Sequence, residues 1–192
     1  MSNEKAIFGD SVEATVIRGA GATELVGLEG VYTAECYDAQ GNLKWTDVIE
    51  NLTTNVGRQS LLNSYFGNTG GGAIVMGLMG TGSPAYTDTQ ASHSGWLEVG
   101  GANAPTYSGT RKTPTFSAAT SANPSVLTTS AAVVFSMTSS GTVAGAFINV
   151  GGSATQDNTT GVLFSAGDFT GGSKTVSSGD TINVTYTLSA AG

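Results

Sequence analysis

The sequence predicts an all-β fold: an antiparallel two-sheet β-sandwich, jelly-roll or Ig-like, with about nine or ten strands and one short α-helix near residues 54–66. Three observations carry this. Apolar residues recur with a period of two, most clearly in Thr181-Ile182-Asn183-Val184-Thr185-Tyr186-Thr187-Leu188, which is the pattern of a half-buried strand. Turn clusters at Asn123-Pro124, Ser139-Ser140-Gly141, Gly151-Gly152-Ser153 and Ser178-Gly179-Asp180 punctuate the second half. The 28 glycines among 192 residues are about twice the usual share, as a chain of many turns requires.

Taken in order, residues 1–28 read as an N-terminal arm or an edge strand. The apolar pairs Val16-Ile17 and Leu25-Val26, separated by a small-residue run, fit both. Residues 29–192 read as a single β-sandwich domain. Two alternating runs, residues 31–37 and 43–49, flank Asp38-Ala39-Gln40-Gly41-Asn42 and predict a hairpin. The helix follows, with Thr54 or Asn55 as N-cap and Gly67 as its stop; its apolar residues Val56, Leu61, Leu62, Tyr65 and Phe66 are expected to plug one end of the sandwich. Residues 73–80 are apolar on both faces, so the run is a central strand or one packed against a subunit. Its glycines and the adaptable Met76 and Met79 favour the subunit option. A polar turn region leads to His93 and Trp96, and further strands are predicted at 113–117, 126–129, 132–138, 142–150, 161–164 and 181–188. In the last of these, Ile182, Val184, Tyr186 and Leu188 should face the core and Thr181, Asn183, Thr185 and Thr187 solvent or a neighbour.

The chemistry-bearing residues exclude more than they suggest. Gly167 and Gly172 have the spacing of a phosphate-binding loop, but Ser173 separates Gly172 from Lys174 and a strand pattern follows where a helix must open. The stretch is predicted to be a Gly-rich connection joining a strand pair, with Lys174 a loop charge. With 7 basic against 14 acidic residues, the net charge of -7 repels phosphate backbones; Arg111-Lys112 is the one adjacent basic pair, and no direct nucleic-acid binding is expected. The single cysteine, Cys36, excludes an intrachain disulfide and reads as a small core residue. His93, the single histidine, lies among serines in a polar loop without a nucleophile elbow, so it reads as a hydrogen-bonding loop residue and not as a catalytic base. One His and one Cys do not build a zinc site; Asp157, Asp168 and Asp180 near turns are expected to bond backbone amides, with a shared calcium site as the lesser reading. Trp45 and Trp96 lie in strand patterns and are expected to fill the core. The first ten residues lack an apolar signal core and no run reaches the length of a membrane span, so a soluble protein without a membrane partner is expected.

The blocks GVYTAECYDAQGNLKWTDVIENLTTNVGRQSLL (30–62), GLMGTGSPAYTDTQASHSGWLEV (77–99), GTVAGAFINVGG and GVLFSAGDFTGGSKTVSSGDTINVTYTLS together resemble a recurrent virion structural protein of tailed bacteriophages, over residues 30–189. The resemblance implies a capsid decoration or cement protein, made in the bacterial host cytoplasm and placed on the outer capsid surface. It implies the major capsid protein and the chain itself, as homodimer or homotrimer, as partners. No catalytic residue, cofactor or metal is expected, and the protein is read as no enzyme. The residues expected at partner contacts are Val16, Ile17, Leu25, Val26, Ile74, Met76 and Met79. The alternative keeps the virion but moves the chain to a tail fibre, collar or adhesin, with Trp96, His93 and Tyr107 forming a cluster that faces host glycans. An enzyme acting on cell-surface polysaccharide is the third class.

Overall fold

The computed structural model describes residues 27–67 and 69–191. Residues 1–26, and with them the choice between arm and edge strand and the expected contacts at Val16, Ile17, Leu25 and Val26, lie outside the described residues. The described chain is an antiparallel two-sheet β structure with one helix. Its elements are β1 (Gly27–Tyr37), β2 (Leu43–Glu50), β3 (Leu52–Thr53), α1 (Asn55–Tyr65), β4 (Ile74–Gly82), β5 (Trp96–Val99) and β6 (Ser125–Thr128). The second half adds β7 (Val133–Ser136), β8 (Gly141–Val143), β9 (Gly145–Val150), β10 (Val162–Asp168), β11 (Lys174–Val176) and β12 (Thr181–Ala191). The described residues hold twelve strands where nine or ten are expected: β3 and β11, two and three residues long, leave no periodic signal, and the predicted run 142–150 divides into β8 and β9.

One sheet runs β2-β1-β12, with β6 and β7 lying end to end along the far edge of β12. The other runs β3-β10-β9-β4-β5, and β11 pairs β8 in a small ribbon. The hairpin β1–β2 forms as its pattern predicts. Its turn is held by Asp38, whose Oδ1 accepts the amides of Gln40 (2.9 Å) and Asn42 (2.8 Å), while Gly41 takes φ 84°. β12 pairs the whole of β1, from Gly27 opposite Ala191 to Tyr37 opposite Thr181. Ile182, Val184 and Tyr186 are buried on one face of β12 and Leu188 packs beside them, as the alternation requires.

Between the sheets, Tyr32, Ala34, Cys36 and Ile49 meet Met76, Leu78, Ala146 and Ile148. Tyr32 Oη and Ser165 Oγ share a hydrogen bond of 2.7 Å across the layer, so the core is stapled by one satisfied polar contact. Alternate residues of β4, β9 and β10 point the other way. There Met79, Phe147, Leu163 and Ala166 form a second cluster with Trp96. β4 is therefore central in the sheet and covered on both faces by its own chain. Met76 and Met79 are fully buried inside it, which corrects the expectation that they contact a partner.

Three further corrections concern strand limits and pairing. Residues 113–117 form no strand; a single bridge joins Phe116 to Thr129. The run 142–150 divides at Ala144, whose amide donates to the Met79 carbonyl at 2.8 Å, so β8 and β9 serve different sheets. Gly145 allows this because a Cβ there would lie 1.9 Å from the Gly167 carbonyl oxygen. Finally, β10 and β12 are no pair: they belong to opposite sheets, and the connection between them contains β11. Lys174 opens β11 and sits 2.6 Å from the Asp47 carboxylate, so it is a paired charge instead of a free loop charge. Burial pushes the Asp47 carboxyl up, but Lys174, the Gly171 and Val48 amides and the Thr170 hydroxyl outweigh it and bring it from 3.8 to about 2.

Candidate functional site

α1 is positioned by its first turn. Thr54 is extended (φ -67°, ψ 162°), and its Oγ1 accepts the Gly57 amide at 2.9 Å while donating to the Leu163 carbonyl at 2.5 Å. One hydroxyl thus caps the helix and ties it to β10. The Thr54 amide donates to the Phe164 carbonyl at 3.1 Å, and the Asn55 amide to the Tyr86 carbonyl at 2.9 Å. Gly57 is the fully buried residue of the helix. A Cβ on it would lie 2.2 Å from the Phe164 carbonyl oxygen, so the helix backbone rests directly on β10.

That approach decides which face points inward. Val56, Gly57, Ser60 and Ser64 recur at helical spacing and are the covered or half-covered positions. The large apolar residues lie opposite. Leu61 is 39%, Leu62 57%, Tyr65 80% and Phe66 78% exposed. The expected plug is therefore turned over: the small stripe, not the apolar stripe, meets the sandwich. Tyr65 and Phe66 stand edge to face with ring centroids 5.0 Å apart. Arg58 is the helix's single charge, held in the first turn over the Tyr86 ring at 5.6 Å, and the exposed apolar end carries none.

Because the helix withholds its large side chains, the mouth of the sandwich beside it stays open. A groove of about 210 Å³ remains there, walled by Leu61, Ile74, Phe116, Leu127, Val150 and Leu188. Of the described residues expected at partner contacts, Ile74 alone borders this surface, half-buried at the start of β4. The sequence marks Leu61, Leu62, Tyr65 and Phe66 as apolar and predicts that they face the core; in the fold they face outward. The signal that corrects it is the Gly57-Ser60-Ser64 spacing, which marks close helix–sheet approach.

The other sequence candidates are placed elsewhere. Trp96 is buried with its Nε1 donating to Asp88 Oδ2 at 3.0 Å, and His93 stacks on it at 4.0 Å with Nδ1 3.1 Å from the Trp96 carbonyl oxygen. Tyr107 is also buried, edge to face with Phe135, and burial pushes its phenol well above the ordinary range. The glycan-facing cluster of His93, Trp96 and Tyr107 is thus corrected, since two of its three rings are inside the fold. Trp45 is half-buried against Phe169 at 5.4 Å.

Asp157 accepts the Ala102 amide at 2.6 Å, and Asp180 accepts the Ser177 amide and pairs with Lys44. Asp168 ends β10 with one oxygen unpartnered, and burial raises its carboxyl. Among the described residues no three His, Cys, Asp or Glu side chains come together in a way that could hold a metal ion. Cys36 is buried near Asp180, and burial first, then that carboxylate, pushes its thiol up to about 11.

Arg111, one half of the adjacent basic pair Arg111-Lys112, is buried. Its Nε and Nη2 bind the two oxygens of Glu98 at 2.8 and 2.6 Å, and Nη1 and Nη2 donate to the Ser153 and Asn158 carbonyls. Glu98 Oε2 also accepts the Asp157 amide at 2.9 Å. This network fastens the loop after β9 to β5 and does no surface work. Comparison with protein-family models, with curated proteins and with solved structures finds no match to this chain.

Proposed function

We propose that this chain is a non-enzymatic structural component of a tailed-bacteriophage particle, decorating the capsid shell and bridging neighbouring capsid subunits. The observation that carries the reading is the exposed, uncharged apolar end of α1 beside an open apolar groove. A soluble domain that keeps Leu62, Tyr65 and Phe66 in water, while small residues fill the inward face, is arranged for contact with another protein surface. The net charge of -7 disfavours nucleic acid as that surface.

Cementing would act by additive burial. One contact of ordinary size is worth little after association entropy is subtracted. Linked contacts on adjoining subunits gain from high effective concentration, so a decorating oligomer holds firmly and resists outward pressure on the shell. The test is a comparison of particles with and without the protein under heat and osmotic shock. The reading expects the complete particles to retain their genome under conditions that empty the deficient ones; equal survival contradicts it. Copy number separates shell from tail, since hundreds per particle mean the capsid and about a dozen mean the tail.

A further inference from the structure

We infer that the partner seated on the α1 face is a second copy of this chain, docked about a twofold axis so that the Tyr65 ring of each copy enters the groove of the other, with Phe66 packing at its rim. This rests on the docking reading above and names one occupant of that site.

Size, position and charge support it. A cavity of roughly 150 Å³ is enough to take up a benzene ring, and the groove of about 210 Å³ therefore has room for one aromatic side chain. Tyr65, 80% exposed, lies one turn of helix beyond Leu61, which is itself a groove wall, and Phe66, 78% exposed, stands edge to face against it further round the helix. Ring and groove thus adjoin on one patch, as a self-complementary twofold contact requires; a ring and groove far apart would build open chains instead. No charged side chain lies on the C-terminal half of α1, so two copies meet there without like-charge repulsion.

The area also fits. At their exposures, Leu61, Leu62, Tyr65 and Phe66 offer roughly 400–450 Å² per copy, or roughly 800–900 Å² across a symmetric pair. The groove walls and the polar rim around Ser60 and Ser64 bring this to the roughly 1,000 Å² at which specific interfaces begin.

The experiment is sedimentation velocity of the full chain at micromolar concentration, with far-UV circular dichroism and melting as folding controls. The parent is expected to be a dimer. Phe66→Ser combined with Tyr65→Ser, both at exposed positions, should weaken self-association by at least ~30-fold, with an unchanged far-UV spectrum and with melting unchanged at dilutions where the parent too is monomeric. Ser64→Trp, which fills the groove while adding apolar surface, should also break the dimer; general stickiness would strengthen association instead, and that result overturns the proposal. A monomeric parent overturns it too. A monomer that becomes dimeric when Val16 and Ile17 are replaced by Asp would assign the face to the chain's own N-terminal segment. Cosedimentation with capsids separates the two levels. A monomer that binds capsids through Phe66 overturns the second-copy inference and leaves the docking reading standing, whereas a Phe66-dependent dimer that ignores capsids does the reverse.

Discussion

Gly57→Ala is the substitution that most directly probes why α1 presents its apolar face outward. The added Cβ would lie 2.2 Å from the Phe164 carbonyl oxygen and 2.9 Å from Phe164 C and Cα. All three are backbone atoms of β10, whose neighbours Leu163 and Ser165 are paired to β9 and whose Phe164 carbonyl already accepts the Thr54 amide, so the strand has little room to yield. The helix must lift away by about an ångström, a forced overpacking that costs roughly 1–3 kcal/mol. Lifting also strains the Thr54 cap, whose loss is worth about 1 kcal/mol, while alanine's better helix propensity returns about 1 kcal/mol. The net expectation is a destabilisation of about 1–3 kcal/mol, a fall in Tm of roughly 2–12 °C for a domain of this size. Urea unfolding followed by the fluorescence of Trp45 and Trp96 measures it, with Gln59→Ala on the exposed side as a control near zero. Gly57→Ala equal to or more stable than the parent would mean that propensity dominates, and the close-approach explanation would be refuted.

Further outcomes are expected at the buried ion pair, at Asp47 and Lys174, and in β12. Glu98→Gln leaves Arg111 buried with two carbonyls and no carboxylate, so it should cost about 3 kcal/mol, or roughly 6–12 °C in Tm. The double replacement Glu98→Leu with Arg111→Met should cost less than the sum of the single changes; strict additivity would argue against coupling. Because the Asp47 carboxyl titrates at about 2 when folded and 3.8 ordinarily, its stabilisation is fully present above about pH 4 and is lost as pH falls through 2. Asp47→Asn should therefore be up to about 2 kcal/mol less stable than the parent near neutrality, with the gap closing between pH 4 and 2; parallel pH–stability curves would contradict the pairing with Lys174. Val184→Asp buries an unpaired charge at a fully buried β12 position and should abolish soluble expression, whereas Lys174→Ala should cost no more than about 1 kcal/mol.

What was legible in the sequence follows from what periodicity reports. β12 and the β1–β2 hairpin were readable because each has one wet face and a turn with glycine or asparagine at the right place. The helix limits were readable from Thr54 and Gly67, but not its orientation, because an apolar stripe does not say which face lies against the sheet. That was decided by Gly57, Ser60 and Ser64, residues whose importance lies in what they lack. β3 and β11 are too short to show a period, and the split of the run 142–150 at Ala144 depends on the contact of Gly145 with Gly167, which lies 22 positions away. The ion pair of Arg111 with Glu98 leaves no local signal, because the two residues are 13 positions apart. The exposed apolar face of α1 is therefore composed of the residues that the sequence marks as apolar, Leu61, Leu62, Tyr65 and Phe66, turned away from the sheet and not toward it.

The most direct measurement is a cryo-electron-microscopy map of the particle at a resolution that shows helices. The account predicts the sandwich on the outer surface of the shell, in many copies, with the α1 end and its groove covered by protein density. Particles free of the chain, or the chain in place with Leu62, Tyr65 and Phe66 facing solvent, would contradict it.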